Sequence, residues 1–288
     1  MNKHKSLLEI HSAVLLFGLA GLFGKWLSIS PITIVFGRVF FASAVLALFL
    51  WFSKQNFKIS PARNYALLVM LGSILSVHWI CFFKSIQVST VAVGLLSFST
   101  YPVFTTFFEP LFFKEKIIKI NIFFSVLCIS GVFLIMPRFD LNNSIYIGVL
   151  WGLLSSFTFA VLTILNRKLT RNYSSLIIAF YQDFFAMVFL LPLILILHPL
   201  VNTNDILLLA ILGVLCTAGA HTLFIEGMKQ IKAQTASIIH SLEPVYGIVF
   251  AFLFLQEMPS PRTILGGVII IFGQTLMIFK VSKLKVED

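Results

Sequence analysis

The chain has 288 residues, of which 59% are apolar and 11% charged, and its formal net charge is +10. A membrane-spanning helix uses about 20 mostly apolar residues, so the apolar side chains, about 170, fill about ten spans and leave little for anything else. That balance excludes a soluble enzyme domain, a nucleic-acid-binding module and a disordered chain, and leaves few residues for a large extramembrane domain.

Apolar stretches bounded by polar punctuation predict ten helices. In chain order they cover 10–29, 31–53, 65–86, 89–113, 119–137, 145–166, 175–197, 206–228, 233–255 and 262–280. The first follows a short basic end, lacks a small-residue cleavage site and reads as a retained span rather than a secretory signal. Basic residues fall on one side. With the N-terminus inside, the inner segments hold Lys3, Lys5, Lys54, Lys58, Arg63, Lys114, Lys116, Lys119, Arg167, Lys168, Arg171, Lys229, Lys232, Lys280, Lys283 and Lys285. The outer segments hold only Lys84, Arg138 and Arg262. By the positive-inside rule both termini are expected in the cytoplasm. The positive charge is then a topology signal with anionic membrane lipid as its partner, and no nucleic acid is required. Cys81, Cys128 and Cys216 sit inside apolar runs and read as small buried hydrophobes.

The chain also repeats itself. At an offset of 142, residues 99–136 match 241–278 at 12 of 38 positions, including Pro102 with Pro244, Glu115 with Glu257 and Gly131 with Gly273. At an offset of 144, Phe36, Phe40, Phe41 and Ala42 match Phe180, Phe184, Phe185 and Ala186. Five helices per half is an odd number, so the second half must be inverted. The lysines of 114–119 have no counterpart in 256–261, as inversion requires. The expected fold is an all-α integral membrane protein of ten transmembrane helices in two inverted five-helix repeats, residues 1–140 and 141–288. Inverted repeats around a midplane interface are an architecture of alternating-access transporters.

The segments SFSTYPVFTTFFEPLFFKEK and HSLEPVYGIVFAFLFLQE, each followed by a glycine-bearing span, resemble the EamA family of the drug/metabolite transporter superfamily. FGRVFFASAVLALFL, around Arg38, is similar to that family's second helix. The resemblance covers essentially the whole chain. It implies transport of amino acids or similar small polar metabolites, usually export, across a bacterial cytoplasmic (inner) membrane. It does not identify a cargo.

Polar groups within spans mark the candidate site, because each is costly in hydrocarbon. Pro102 and Pro244 fall in mid-span as expected helix kinks, freeing the carbonyls of Phe98 and His240. In the ninth span Ser237, His240, Glu243 and Gly247 share a helical face; in the fourth Gly94, Ser97, Tyr101 and Thr105 do. Glu243, the repeat mate of Tyr101, is either a structural partner for a buried cation or amide, or a substrate or proton site. His78 with Trp79, and His221, occupy similar places late in the third helix of each half. Trp79 and Tyr101 offer a flat wall or a cation–π contact.

The substrate-binding set is therefore Glu243, Tyr101, His78, Trp79, His221, His240, Ser97 and Ser237. Arg38 and Asp183, about eight residues into their spans from opposite sides of the membrane, read as structural tethers or gates rather than a direct pair. Glu115 and Glu257 are assigned to fold and gating on the family motif. Lys25 reaches the outer surface by snorkelling.

Two other motifs fail. GLAGLFGKW, from Gly18 to Trp26, lacks the second glycine and the Ser/Thr of a phosphate-binding loop. The histidines and acids lack metal-ligand spacing, so no metal or cofactor is expected. Without a nucleotide-binding loop a secondary transporter is expected, with a small-molecule substrate. Glu243 and His240 couple it to protons, or diffusion is facilitated without coupling; the sequence fits both. The rival readings are uptake of a nucleoside- or sulfonium-type metabolite, and a membrane-embedded enzyme acting on lipid.

Overall fold

The computed structural model describes residues 3–54, 58–60, 62–114, 119–136, 140–169, 173–228, 239–240 and 242–284. Among them there is no strand. In chain order come α1 (Lys3–Ala20), α2 (Phe23–Trp26), α3 (Pro31–Phe52), α4 (Arg63–Val88), α5 (Val91–Phe98), α6 (Tyr101–Phe113) and α7 (Lys119–Ile135). Then follow α8 (Ser144–Leu169), α9 (Ser175–Leu197) and α10 (Thr203–Gly213). A π-helical stretch, Val214–Gly219, leads into α11 (Ala220–Met228), α12 (Glu243–Leu255) and α13 (Pro261–Leu284). Seven helical segments of the described residues are long and apolar enough to span a bilayer, and three shorter apolar helices, Ile122–Ile135, Glu243–Leu255 and Pro261–Leu276, complete the ten.

The first helix begins at Lys3, seven residues before the predicted span. Its polar opening is helical all the same, with Lys5 and Glu9 paired one turn apart at 3.8 Å. Local chemistry sets other helix starts. Ser30 accepts from the Thr33 amide at 3.2 Å with Pro31 in the first turn of α3, and Ser174 caps α9 in the same way through Ile177. Thr90 caps α5, Ser260 caps α13, and Asn202 with Asp205 forms a capping box on α10.

Packing follows the repeat and crosses it. α1 lies against α11 and α12 of the second set of five, while its mate α8 lies against α4, α5 and α6 of the first. α3 packs on α10 as α9 packs on α4, and the mates α3 with α9 and α7 with α13 face each other. Glycines hold these contacts close. A Cβ on Gly213 would stand 2.6 Å from the Arg38 carbonyl and 2.7 Å from Phe41 Cβ; one on Gly72 would stand 2.7 Å from Phe185 Cβ and 2.8 Å from the Ala186 amide. Phe41–Ala42 and Phe185–Ala186 are the repeated residues themselves, so the same knuckle is built twice. Gly131 and Gly266 meet reciprocally across α7 and α13, each opposite the other's carbonyl.

The bundle's flanks carry exposed apolar side chains such as Phe49, Trp51, Phe52, Leu195, Ile196, Phe252 and Phe254, a surface suited to hydrocarbon. Cys81, Cys128 and Cys216 are buried and free.

Candidate functional site

The fourth predicted span is two helices. α5 ends at Phe98, Ser99 and Thr100 make the join, and α6 opens at Tyr101 with Pro102 in its first turn. α12 likewise opens at Glu243 with Pro244 in its first turn. The expected mid-helix kinks are thus corrected to helix starts. Proline lacks an amide hydrogen that the first turn does not need, so it initiates a helix better than it bends one. The carbonyl of Phe98 finds no backbone donor among the described residues. Side chains hold the join: the Gln274 amide of α13 donates to the carbonyl and hydroxyl of Ser99, and Thr100 Oγ1 lies 3.0 Å from Ser156 Oγ on α8.

At the opening of α12 the Glu243 carboxylate lies 3.6 Å from His240 Nε2, and Glu243 is buried. The His240 ring is surrounded by Phe17 of α1, Phe224 of α11 and Tyr101 of α6, at centroid distances of 5.8, 5.6 and 6.2 Å. His221 stands edge-on to Phe17 at 5.5 Å. Glu243, His240, His221 and Tyr101 therefore meet in one aromatic chamber between α1, α6, α11 and α12. Gly18 lets α1 press against the Glu243 carbonyl there.

Arg38 enters the same region from α3 and is 3% exposed. Its guanidinium lies 3.8 Å over the Trp79 ring, and Nε donates to Thr217 Oγ1 at 2.7 Å. Thr217 belongs to the π-helical stretch and donates in turn to the Leu212 carbonyl five residues back, at 2.9 Å. Glu243, Asp183, His78 and His221 all lie within Coulombic reach of the guanidinium. Arg38 and Asp183 form no ion pair within the usual 4 Å, but α3 and α9 pack together and bring them near each other. Asp183 Oδ2 is sealed off without a hydrogen bond.

The remaining candidates stand apart. His78 Nδ1 is tied to the carbonyl and hydroxyl of Ser155, both at 2.9 Å, and the ring packs on Phe98 and Phe159. Ser97 is fully buried against Gly152 with its hydroxyl unpartnered. Glu257 accepts from the Ala92 amide at 3.3 Å, at the start of α5. Beside it Lys25 Nζ donates to the Ser89 carbonyl at 2.6 Å, so Lys25 bonds to α4 rather than only snorkelling. Gln87 donates to the carbonyls of Leu27 and Ile29 at 3.3 and 3.0 Å. Ser237 and Glu115 lie outside the described residues. No group of three or more metal-ligating side chains occurs among the described residues.

The description "EamA-like transporter family" matches twice, over residues 5–136 and 146–279. The chain belongs to this family. Over 96% of its length it is 24% identical to a transporter of Bacillus subtilis, covering 91% of that protein. It is 27% identical to the S-adenosylmethionine uptake transporter of Rickettsia conorii, over 87% of this chain and 83% of that one. It is also 27% identical to the pseudopaline exporter of Pseudomonas aeruginosa, over 81% and 82% of the two chains. A protein of known crystal structure shares its fold with a TM-score of 0.68 at 14% identity, over 97% of this chain and 99% of the other.

This EamA-like transporter of the drug/metabolite transporter type is a multi-pass membrane protein. Three residues at the chamber, the Arg38 clamp and the Ser99 join escaped the sequence reading. Phe17 was one of 32 phenylalanines, with nothing local to single it out. Thr217 carried a faint signal, a hydroxyl between Gly213 and Gly219 in an apolar span. Gln274 directly follows Gly273, itself one of the repeat-matched residues, and that proximity was the available clue.

Proposed function

We propose that this EamA-like transporter is a secondary carrier, not an enzyme, that exports amino acids or similar small polar metabolites by alternating access. Its halves, residues 1–140 and 141–288, rock about their interface in a bacterial cytoplasmic membrane, with both termini in the cytoplasm. Cargo is held among Glu243, Tyr101, His240 and His221, with Trp79 as a wall. His78 and Ser97 support the chamber through α8. The observation that carries this reading is the buried Glu243 carboxylate, 3.6 Å from His240 at the opening of α12. An acid in such a place marks a substrate or proton pathway, and helix breaks at the midplane are where transporters of inverted-repeat architecture bind. Glu243 with His240 is the proposed proton-coupling pair.

Glu243→Gln in proteoliposomes tests the assignment. Loss of uptake, or of its response to an imposed pH gradient, is expected; unchanged flux and pH response refute it. Uptake is the second reading, favoured by the Rickettsia conorii relative, whose name specifies S-adenosylmethionine uptake. Sided flux in whole cells separates the two directions.

A further inference from the structure

The charged edge of Arg38 has no work to do in the fold. Nε is used by Thr217, but neither terminal nitrogen finds an acceptor among the described residues, and both retain accessible surface. The side chain is 3% exposed. Two devices hold it in place: the Trp79 ring at 3.8 Å on its face and the Thr217 hydroxyl at 2.7 Å on its Nε edge. A guanidinium so clamped keeps its Nη edge pre-organised, and the match for two parallel N–H donors is a planar oxyanion, most simply a carboxylate.

A merely structural cation would be expected to close on an acid. Arg38 lies within reach of Asp183 and Glu243 yet pairs with neither inside 4 Å. The repeat supplies an internal comparison. Arg38 maps at the 144-residue offset onto Gln182, a neutral side chain that donates to Asn166. The repeat therefore tolerates a neutral group at this position, and the charge at 38 serves something that only one half provides.

We infer that the free edge of Arg38, clamped by Trp79 and Thr217, is the docking point for the carboxylate of the cargo, with Glu243 on the opposite side of the chamber left to face the cargo's amino group. This rests on the transporter reading and narrows it: the cargo carries a carboxylate, and the cargo's neutral-carboxyl analogues are poor substrates. Arg38 then belongs to the binding site rather than to a gate or tether.

The test is counterflow in proteoliposomes with paired probes, L-leucine and L-phenylalanine against leucinamide and phenylalaninamide, with uridine as an uncharged reference. The wild type is expected to exchange the acids at least about tenfold faster than the amides, the discrimination a charge-assisted pair supports. Arg38→Gln should abolish that preference, bringing the acid-to-amide flux ratio to about one. Arg38→Lys should retain part of it, and Thr217→Val should raise the half-saturation concentration of the acids without lowering maximal flux. If Arg38→Gln does not fold, the acid-to-amide ratio of Arg38→Lys and Thr217→Val decides, and an unchanged ratio in both overturns the inference. Equal transport of acids and amides by the wild type, or of uridine alone, overturns it while leaving the transporter reading intact. Flux of none of the probes through correctly folded wild type overturns it and counts against the transporter reading as well.

Discussion

Gly18→Ala puts one methyl group where α1 crosses the start of α12. The added Cβ would lie 2.9 Å from the Gly247 amide nitrogen, 3.0 Å from the Glu243 carbonyl oxygen and 3.0 Å from Tyr246 Cβ. Ordinary contact begins near 3.4 Å, so the shortfall is 0.4–0.5 Å, and two of the three obstructing atoms are backbone. A flexible side chain cannot absorb it; α1 must move away, or the first turn of α12 must. Overpacking of this kind costs about 1–3 kcal/mol, and the better helix propensity of alanine returns about 1 kcal/mol. The net loss is therefore on the order of 1 kcal/mol, a fall of a few degrees in Tm.

Gly21→Ala is the internal control, since its Cβ would meet only ordinary contacts at 3.4–3.5 Å. Thermal unfolding of the two variants in one detergent, followed by near-ultraviolet circular dichroism, provides the comparison. Gly18→Ala should melt below Gly21→Ala, and cargo half-saturation should rise in Gly18→Ala alone because Glu243 is displaced. If Gly18→Ala melts at or above the control, the claimed close approach of α1 to the Glu243 turn is wrong.

Gln274→Leu removes both side-chain bonds at the Ser99 join. It should cost about 1–3 kcal/mol, seen as a lower Tm than that of the wild type. If Gln274→Leu melts with the wild type, the join is held by something else. For topology, single cysteines replacing Ser53 and Thr203 in a cysteine-free background should label from opposite sides of intact cells. Ser53 is expected to be protected from an impermeant maleimide and Thr203 to react; the reverse pattern refutes the orientation.

Much of the architecture was legible because it is written twice. The Phe–Phe–Ala match at the 144-residue offset is the pair of surfaces on which Gly213 and Gly72 sit, and Pro102 with Pro244 marks the two helix starts. A Ser or Thr before an apolar run located helix starts, as at Ser30 and Ser174. What periodicity could not convey is which helices of one half lean on the other, because α1 on α12 and α8 on α5 are long-range choices made by glycine-sized gaps. The site was half visible. Glu243 and His240 stand three residues apart in the sequence, so their proximity is local. The surroundings of Arg38 were not legible, because Trp79, Thr217 and Asp183 come from three other elements. Tyr101 and His240 also come from different halves, and their contact exists only once the halves interlock.

The polar contacts at the end of the bundle remote from the N-terminus bear on which way the empty carrier faces. Lys25 to Ser89, Gln87 to Leu27 and Ile29, and Glu257 to Ala92 all join the group around α1 and α12 to the group around α4 and α5. Parting the groups there gives up four such hydrogen bonds, at about 0.5–1.5 kcal/mol each, or roughly 2–6 kcal/mol in total. On those bonds alone the form open at this end is a minor fraction of empty molecules. A solute arriving from that face binds with its apparent affinity weakened by the same fraction. On the alternating-access reading proposed above, a carrier latched in this manner rests closed at the end remote from its N-terminus.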